Sequence, residues 1–352
     1  MTVDNILELP VTIDAVRLER RERETSSDFT RVTTRVSLVG DGETGLGEDV
    51  TYDADEHDAL AETGLPEAEL EGEFTLASFS ERVGELELFP ADDPDQHASR
   101  NYRRWALESA ALDLALRQAG TDFATAVGRS TEPVRFVAST RLGDPPTVDR
   151  VETLCGRVPG PEFKLDPTPE WDAELIDDLA ATGAVRILDL KGQYEGTEVD
   201  VPADPELYER VLEAFPEAVI EDPALTEETR PLFEDSDVRE RTSWDAPIHG
   251  LADVETLPWE PSWLNIKPSR FGSIASLLET LEYCEERAIR LYGGGQFELD
   301  VGRGQLQLLA SLYYPDGPND VAPRQYNDPD PGKELPESPL EPPAEPVGFR
   351  WN

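Results

Sequence analysis

The chain has 352 residues, of which 75 are acidic and 31 basic, and its formal net charge of −44 is spread along its whole length. Such a surface repels polyanions, which argues against nucleic acid and anionic membranes as partners. A hydrophobic content of 38% with six Trp and twelve Phe argues against disorder, and the length allows one large α/β domain beside a smaller one.

The opening "MTVDNILELPVTIDAV" begins acidic and holds no long apolar run, so no secretory leader is expected. No stretch approaches the roughly 18 apolar residues that a membrane helix needs. "PVTIDAVRLERRE" and "FTRVTTRVSLVGD" alternate with period two and predict strands, and Gly40 to Asp49 supplies turn glycines. Glu48 and Asp49 are read here as a solvated turn. An acidic stretch of helical and loop character follows. "RNYRRWALESAALDLALRQAG" then places Trp105, Leu107, Ala111, Leu112, Leu114 and Ala115 on one broad face and stops at Gly120, which predicts a long helix. Residues 1–130 thus read as a small α+β domain with a helix leading out of it.

Over residues 131–327 short apolar runs alternate with helix-length amphipathic segments. The runs are "VRFVAST", "EFKLD", "VRILDLK", "AVIED", "APIHG", "WLNIK" and "IRLYGGGQFE". Such alternation predicts βαβ units and a parallel sheet, and seven or eight units close a barrel. "LYYPDGPNDVAP" offers a final strand. Residues 328–352 are rich in Pro and Glu and read as an extended arm, with Phe349 and Trp351 docking back on the first domain.

Lysine is scarce, with four against twenty-seven arginines. Lys164, Lys191 and Lys267 each follow an apolar run, and only Lys333 lies in the polar tail. Lys loses its proton near neutral pH where its surroundings depress its pKa, and Arg in practice does not. The distribution therefore points to proton transfer at strand ends. Lys164, Asp189, Lys191, Glu221, His249, Lys267 and Glu298 all fall at or just beyond the C-terminal end of a predicted strand, where a barrel carries its chemistry. A plainer reading pairs Asp189 and Glu221 with Lys191 and Lys164 as buried salt bridges. Gly293 to Gly295 lack the spacing of a nucleotide fingerprint. Cys155 and Cys284 lack metal-type spacing, so a reduced, cytoplasmic protein is expected. Scarce Lys and abundant Asp and Glu also fit a salt-adapted, halophilic cytoplasm.

The order of these strand ends resembles the enolase superfamily, most closely its muconate-lactonizing-enzyme and o-succinylbenzoate-synthase branch. The resemblance runs over most of the chain, from "GETGLGED" and "WALESAALDLAL" to "NIKPSRFG" and "GGGQFELDVGRG". It implies an α/β fold: a modified (β/α)7β barrel of the TIM type under an N-terminal α+β capping domain. It also implies removal of a proton next to a carboxylate, with Mg²⁺ or another divalent ion stabilising the enediolate; Lys or His bases with Mg²⁺ are the handed-down pattern for such sites. Carried over, Asp189 and Glu221 match carboxylate metal ligands, with His249 as the third or the third absent. Lys267 faces the substrate across from Lys164, and Gly294, Gly295 and Glu298 match a substrate loop.

Three positions depart from the branch, the first being His249-Gly250 in "APIHGLAD", with Asp245 four residues earlier, where the fifth strand usually ends in Asp-Glu. Asp166 stands where a second catalytic Lys is usual, as an acid or as a partner of Lys164. Lys191 stands where a neutral Asn is usual, and its ammonium would repel a metal ion or replace it. The resemblance implies a lyase or isomerase acting on a small carboxylate substrate, of the o-succinylbenzoate synthase, cycloisomerase, epimerase or dehydratase type. The 20s loop "RERETSSDFT" and the 50s loop would select that substrate. A metal-independent enzyme and a non-catalytic barrel that binds ligands are the alternatives, and a homo-oligomer is compatible with either.

Overall fold

A computed structural model describes residues 3–26, 29–91, 93–194 and 200–351, with the side chains of residues 3 and 4 excepted. Residues 27–28 of the 20s loop therefore lie outside the described residues. Twelve strands carry the description. The cap holds β1 (Pro10–Ile13), β2 (Ala15–Glu24), β3 (Thr30–Gly40), β4 (Glu43–Asp49) and β5 (Gly72–Thr75). The barrel holds β6 (Ala138–Ser139), β7 (Phe163–Leu165), β8 (Val185–Asp189), β9 (Val219–Glu221), β10 (Thr242–Trp244), β11 (Trp263–Ile266) and β12 (Arg290–Gly293).

Period-two patterning in the cap produces an antiparallel sheet in the order β2-β3-β4, with β1 pairing β5 beside it. Asp41 and Gly42, both at positive φ, form the tight turn between β3 and β4. Gly45 and Gly47 are required by proximity: a Cβ at either would run into the Ala110 or Ala106 carbonyl of the helix Ala98–Gln118. That helix is buried on nearly every side because it lies between cap and barrel, which explains an apolar face too broad for a surface helix.

The seven barrel strands are parallel and neighbours in chain order, from β6 to β12. Two expectations need correction. The fifth barrel strand is "TSW", not "APIHG". Thr242 and Ser243 stay buried by bonding Val238 O and the Tyr292 hydroxyl, so their polarity hides a strand, while Pro247 has no N–H to give a ladder. "LYYPDGPNDVAP" forms no strand either, because the helix Val301–Tyr313 runs into it and Pro315 and Pro318 interrupt the rest. Asn319 closes the ring instead. Its carbonyl accepts from Val137 N (2.8 Å), its Oδ1 accepts from Gly293 N (2.7 Å), and Asp320 N donates to Gly293 O (2.8 Å).

The C-terminal arm ends on the linking helix. Phe349 is fully buried against Phe123 and Trp105, and Asp113 accepts from Phe349 N and Arg350 Nε. Among the described residues no helix is long and apolar enough to cross a membrane.

Candidate active site

Register brings the site together. Asp189 pairs with Glu221 across β8 and β9, so two carboxylates end adjacent strands side by side, with Lys164 entering from β7. Lys164 is only 2% exposed, and Asp189, Glu221, Asp222 and Asp245 are fully buried. The Lys164 Nζ lies 2.5 Å from Glu221 Oε1, 3.2 Å from Asp189 Oδ2 and 3.9 Å from Asp320 Oδ2. Lys191 Nζ bonds the same Asp189 Oδ2 and lies 3.8 Å from Asp166 Oδ1. The remaining Glu221 oxygen accepts from the Tyr292 hydroxyl, and Asn265 Nδ2 stands 3.3 Å away. Asp222 accepts from Asp245 N and Ala246 N, both at 2.8 Å. Lys191 (φ 54°) and Asp222 (φ 48°) hold left-handed backbone, a strained choice for side-chain-bearing residues that clusters at functional sites.

A second group sits across from the first. Asp245, at the end of β10, takes Lys267 Nζ at 2.9 Å, Arg270 at 2.8 Å and the Tyr194 hydroxyl at 2.8 Å. A Cβ on Gly294 would lie 2.6 Å from Asn265 Oδ1 and 2.9 Å from Lys267 Cε, so glycine there lets the β12 loop approach Lys267. Next to it Glu298 is buried and accepts from Gln296 N at 2.7 Å, while its Oε2 has no hydrogen-bond partner among the described residues and faces the Arg303 guanidinium at 4.0 Å. A Cβ on Gly295 would collide with that same carboxylate.

Lys164, Asp166, Asp189, Lys191, Glu221 and Lys267 thus meet at the C-terminal ends of the strands, with Gly294 against Lys267 and Gly295 against Glu298. His249 is not brought in. It lies beyond the strand on the "APIHG" loop, 39% exposed, with Nδ1 3.3 Å from Pro247 O and 3.9 Å from Asp253. Asp245 and Asp222 hold the places near the fifth and fourth strand ends, and both directly follow a strand, the signal that could have found them. Tyr194, Asn265, Arg270 and Tyr292 carried no such signal. Glu48 and Asp49 are buried rather than solvated: Glu48 accepts from Thr33, Leu299 N and Gly302 N, and Asp49 pairs with Arg103 at 2.8 Å.

For Lys164 and Lys191 the electrostatics run against the expectation of a depressed lysine. Burial alone would strip the proton from Lys164, but Glu221 and Asp189 outweigh it and hold its pKa well above the usual value. Lys191 is likewise held up by Asp166 and Asp189 against its burial. Burial and the neighbouring Asp189 push Glu221 well above the carboxylate range, with Lys164 opposing. Burial with Asp245 and Asp189 pushes Asp222 up to about 7. Asp189 and Asp245 go the other way, since their cations outweigh burial. Burial raises Asp166 in spite of Lys191.

Asp189, Glu221 and Asp222 each offer a carboxylate oxygen within 4.8 Å of the others, a buried acidic triad. Three hard oxygen donors on strand ends fit a divalent cation in their chemistry. Each carboxylate already has a partner, however, and on Asp189 those partners are ammonium groups. An ion would have to take their place.

Comparison with known proteins follows this geometry. The family described as "Domain of unknown function (DUF8230)" matches with its N-terminal domain over residues 4–126 and its C-terminal domain over residues 130–328. The o-succinylbenzoate synthase of Geobacillus kaustophilus is 24% identical over 240 residues, covering 63% of this chain and 60% of that protein. The match therefore spans about three fifths of the relative's length. Among solved structures, an enolase-superfamily member from Listeria innocua Clip11262 is similar with a TM-score of 0.65 at 19% identity, covering 90% of this chain and 86% of that one. The muconate lactonizing enzyme from Pseudomonas putida has a TM-score of 0.65 at 17% identity, covering 88% of each chain. A probable mandelate racemase from Alicyclobacillus acidocaldarius has 0.66 at 18%, covering 97% and 92%. The fold is that of the enolase superfamily, an α/β barrel under an N-terminal capping domain.

Proposed function

This chain belongs to the DUF8230 family, and we propose that it is a lyase or isomerase that removes the α-proton of a small carboxylate substrate. The observation that carries this reading is the convergence of three of the four lysines on strand-end carboxylates of an enolase-type barrel. An enediolate is an anion formed from a very weak acid, so the site must offer positive charge where that anion develops. Lys164 and Lys191, kept protonated by their carboxylate partners, offer it.

Lys164 is the acid, returning a proton or assisting loss of a β-leaving group. Lys267, whose partner Asp245 is shared with Arg270 and Tyr194, is the base on the opposite side. Asp166 keeps Lys191 in reach of the substrate carboxylate, and Gly294, Gly295 and Glu298 line the substrate side of Lys267. A divalent ion such as Mg²⁺, held by Asp189, Glu221 and Asp222, would supply Lewis-acid stabilisation of the enediolate. The acidic surface and the free Cys155 and Cys284 support a cytoplasmic, salt-adapted setting.

The test is exchange in deuterated water. A panel of α-hydroxy, α-amino and succinyl-bearing carboxylates is incubated with the protein and followed by proton NMR. One or more members should lose the α-proton signal, and Lys267→Ala or Lys164→Ala should each slow that loss by about 10²–10⁴-fold. Exchange unchanged in both variants would remove the lysines from the chemistry, and none with any carboxylate would leave a ligand-binding barrel.

A further inference from the structure

Lys191 and Asp166 are two of the three departures from the related branch, and they are neighbours in space. Lys191 Nζ lies between Asp189 Oδ2, which it bonds, and Asp166 Oδ1 at 3.8 Å. Its backbone N also donates to Asp189 Oδ1 at 3.2 Å, so one residue grips both oxygens of a triad carboxylate two positions earlier. The left-handed φ of 54° is what folds the chain back far enough to do this. Gly192 then passes so close to Ala224 that a Cβ there would collide, which fixes the loop against the end of β9. The side chain is neither loose nor on the surface, and the structure gives the ammonium two carboxylates to choose between.

We infer that Lys191 is a tethered cation that competes with a divalent ion for the Asp189–Glu221–Asp222 carboxylates, and that Asp166 receives its ammonium when an ion binds. Asp189 Oδ2 already takes two ammonium groups, Lys164 at 3.2 Å and Lys191, so a divalent ion arriving there is strongly repelled unless one leaves. Lys191, the less buried of the two and 3.8 Å from Asp166, is the one with a carboxylate outside the triad to move to. Ion binding therefore moves Lys191 toward Asp166, where a substrate carboxylate also reaches it. The paired departures form one device: the lysine occupies the triad, and the aspartate holds it when displaced. The inference rests on the triad as the metal site of the proposed function, but not on the reaction.

Mn²⁺ binding read by electron paramagnetic resonance tests it without any substrate. Lys191→Asn and Lys191→Met should each bind Mn²⁺ about tenfold more tightly than the wild type, which corresponds to about 1.4 kcal/mol. The Met variant keeps the apolar stem beside the Tyr194 ring, in case the Asn variant does not fold. A gain below threefold in the folded variant, or tighter binding by the wild type, overturns the inference.

A second measurement needs no variant. With only four lysines, ¹³Cε-labelled lysine gives a sparse spectrum, and Mg²⁺ should shift the Lys191 signal while the exposed Lys333 signal stays. Saturating Mg²⁺ that leaves Lys191 unmoved overturns the inference. If Mn²⁺ affinity responds to Lys191 while no α-proton exchanges, the proposed reaction falls and the competition stands.

Discussion

Lys164 shows how burial and pairing oppose each other in one residue. Its ammonium is 2% exposed and would be very unfavourable alone, yet Glu221 and Asp189 hold it charged. Removing one partner from such a pair leaves the other buried without compensation, at a cost of about 3–5 kcal/mol. Lys164→Ala should therefore lose about that much stability in urea unfolding. A loss under 1 kcal/mol would show that the carboxylates simply take up protons. The triad carries its own pH signature. Asp222 is pushed up to about 7 and Glu221 well above the usual range, chiefly by burial. A carboxyl whose folded pKa exceeds its unfolded pKa holds an extra proton when folded, so its contribution is full below the unfolded value and is lost as pH rises through the folded one. Asp189 and Asp245 have lowered pKa values, so their contribution is lost only in acid. Around the Asp222 value of about 7 that behaviour dominates, and the melting temperature at constant salt should fall between pH 5 and pH 8. Mg²⁺ replaces protons in the triad, so it should protect more at pH 8 than at pH 6. A flat profile, or equal protection at both pH values, would contradict this.

Several groups join cap to barrel, among them Asp300 with Arg21 and Arg35, Asn101 with Arg270 O and Glu108 with Ile274 N, and the buried Glu48 near the end of β4 is the one whose part can be tested by itself. It caps the helix Val301–Tyr313 by accepting from Leu299 N and Gly302 N, and it also takes the Thr33 hydroxyl. Burial and the nearby Glu298 push its pKa up. Glu48→Ala orphans several buried donors and should cost about 2–4 kcal/mol, whereas Glu48→Gln keeps an acceptor and should cost clearly less. Equal losses would mean that the charge, not the cap, is what matters. The same strand shows what was legible in the sequence. Period two marked β1 to β3, whereas "GETGLGED", read as turn glycines, forms β4, and burial of Glu48 was invisible because its partners include backbone N–H groups about 250 positions away. In the barrel, apolar runs marked β7, β8, β9, β11 and β12. The short buried "TSW" strand failed the hydrophobic signal because hydrogen bonds satisfy its hydroxyls, and that one-element slip directed attention to His249 instead of Asp245. Barrel closure by Asn319 was equally hidden, since a side-chain amide replaces a ladder that periodicity would reveal.

At the scale of the whole molecule the dominant fact is 75 acidic residues against 31 basic ones. Many arginines are already committed to ion pairs at the surface, such as Arg20–Asp58, Arg35–Asp300 and Arg100–Asp93, so most added carboxylates face only one another. Self-repulsion of this kind destabilises the compact state, and salt relieves it because the screening length falls from about 10 Å at 0.1 M to about 3 Å at 1 M. The buried cluster responds differently. Lys164, Glu221 and Asp189 are shut away from solvent ions, and pairs in such places are screened much less. Urea unfolding at 0.1, 0.5 and 2 M KCl should therefore show stability rising with salt, by about 2 kcal/mol or more over the range, if surface repulsion is the limit. The penalty for Lys164→Ala should stay constant across the same series, because the interaction it removes lies beyond the reach of the salt. Stability that does not rise would show that the acidic surface is no burden in dilute buffer. A Lys164→Ala penalty that shrinks with salt would place the cluster in contact with solvent, against its burial. The two slopes separate what the acidic surface does for the molecule from what the barrel mouth does with its lysines.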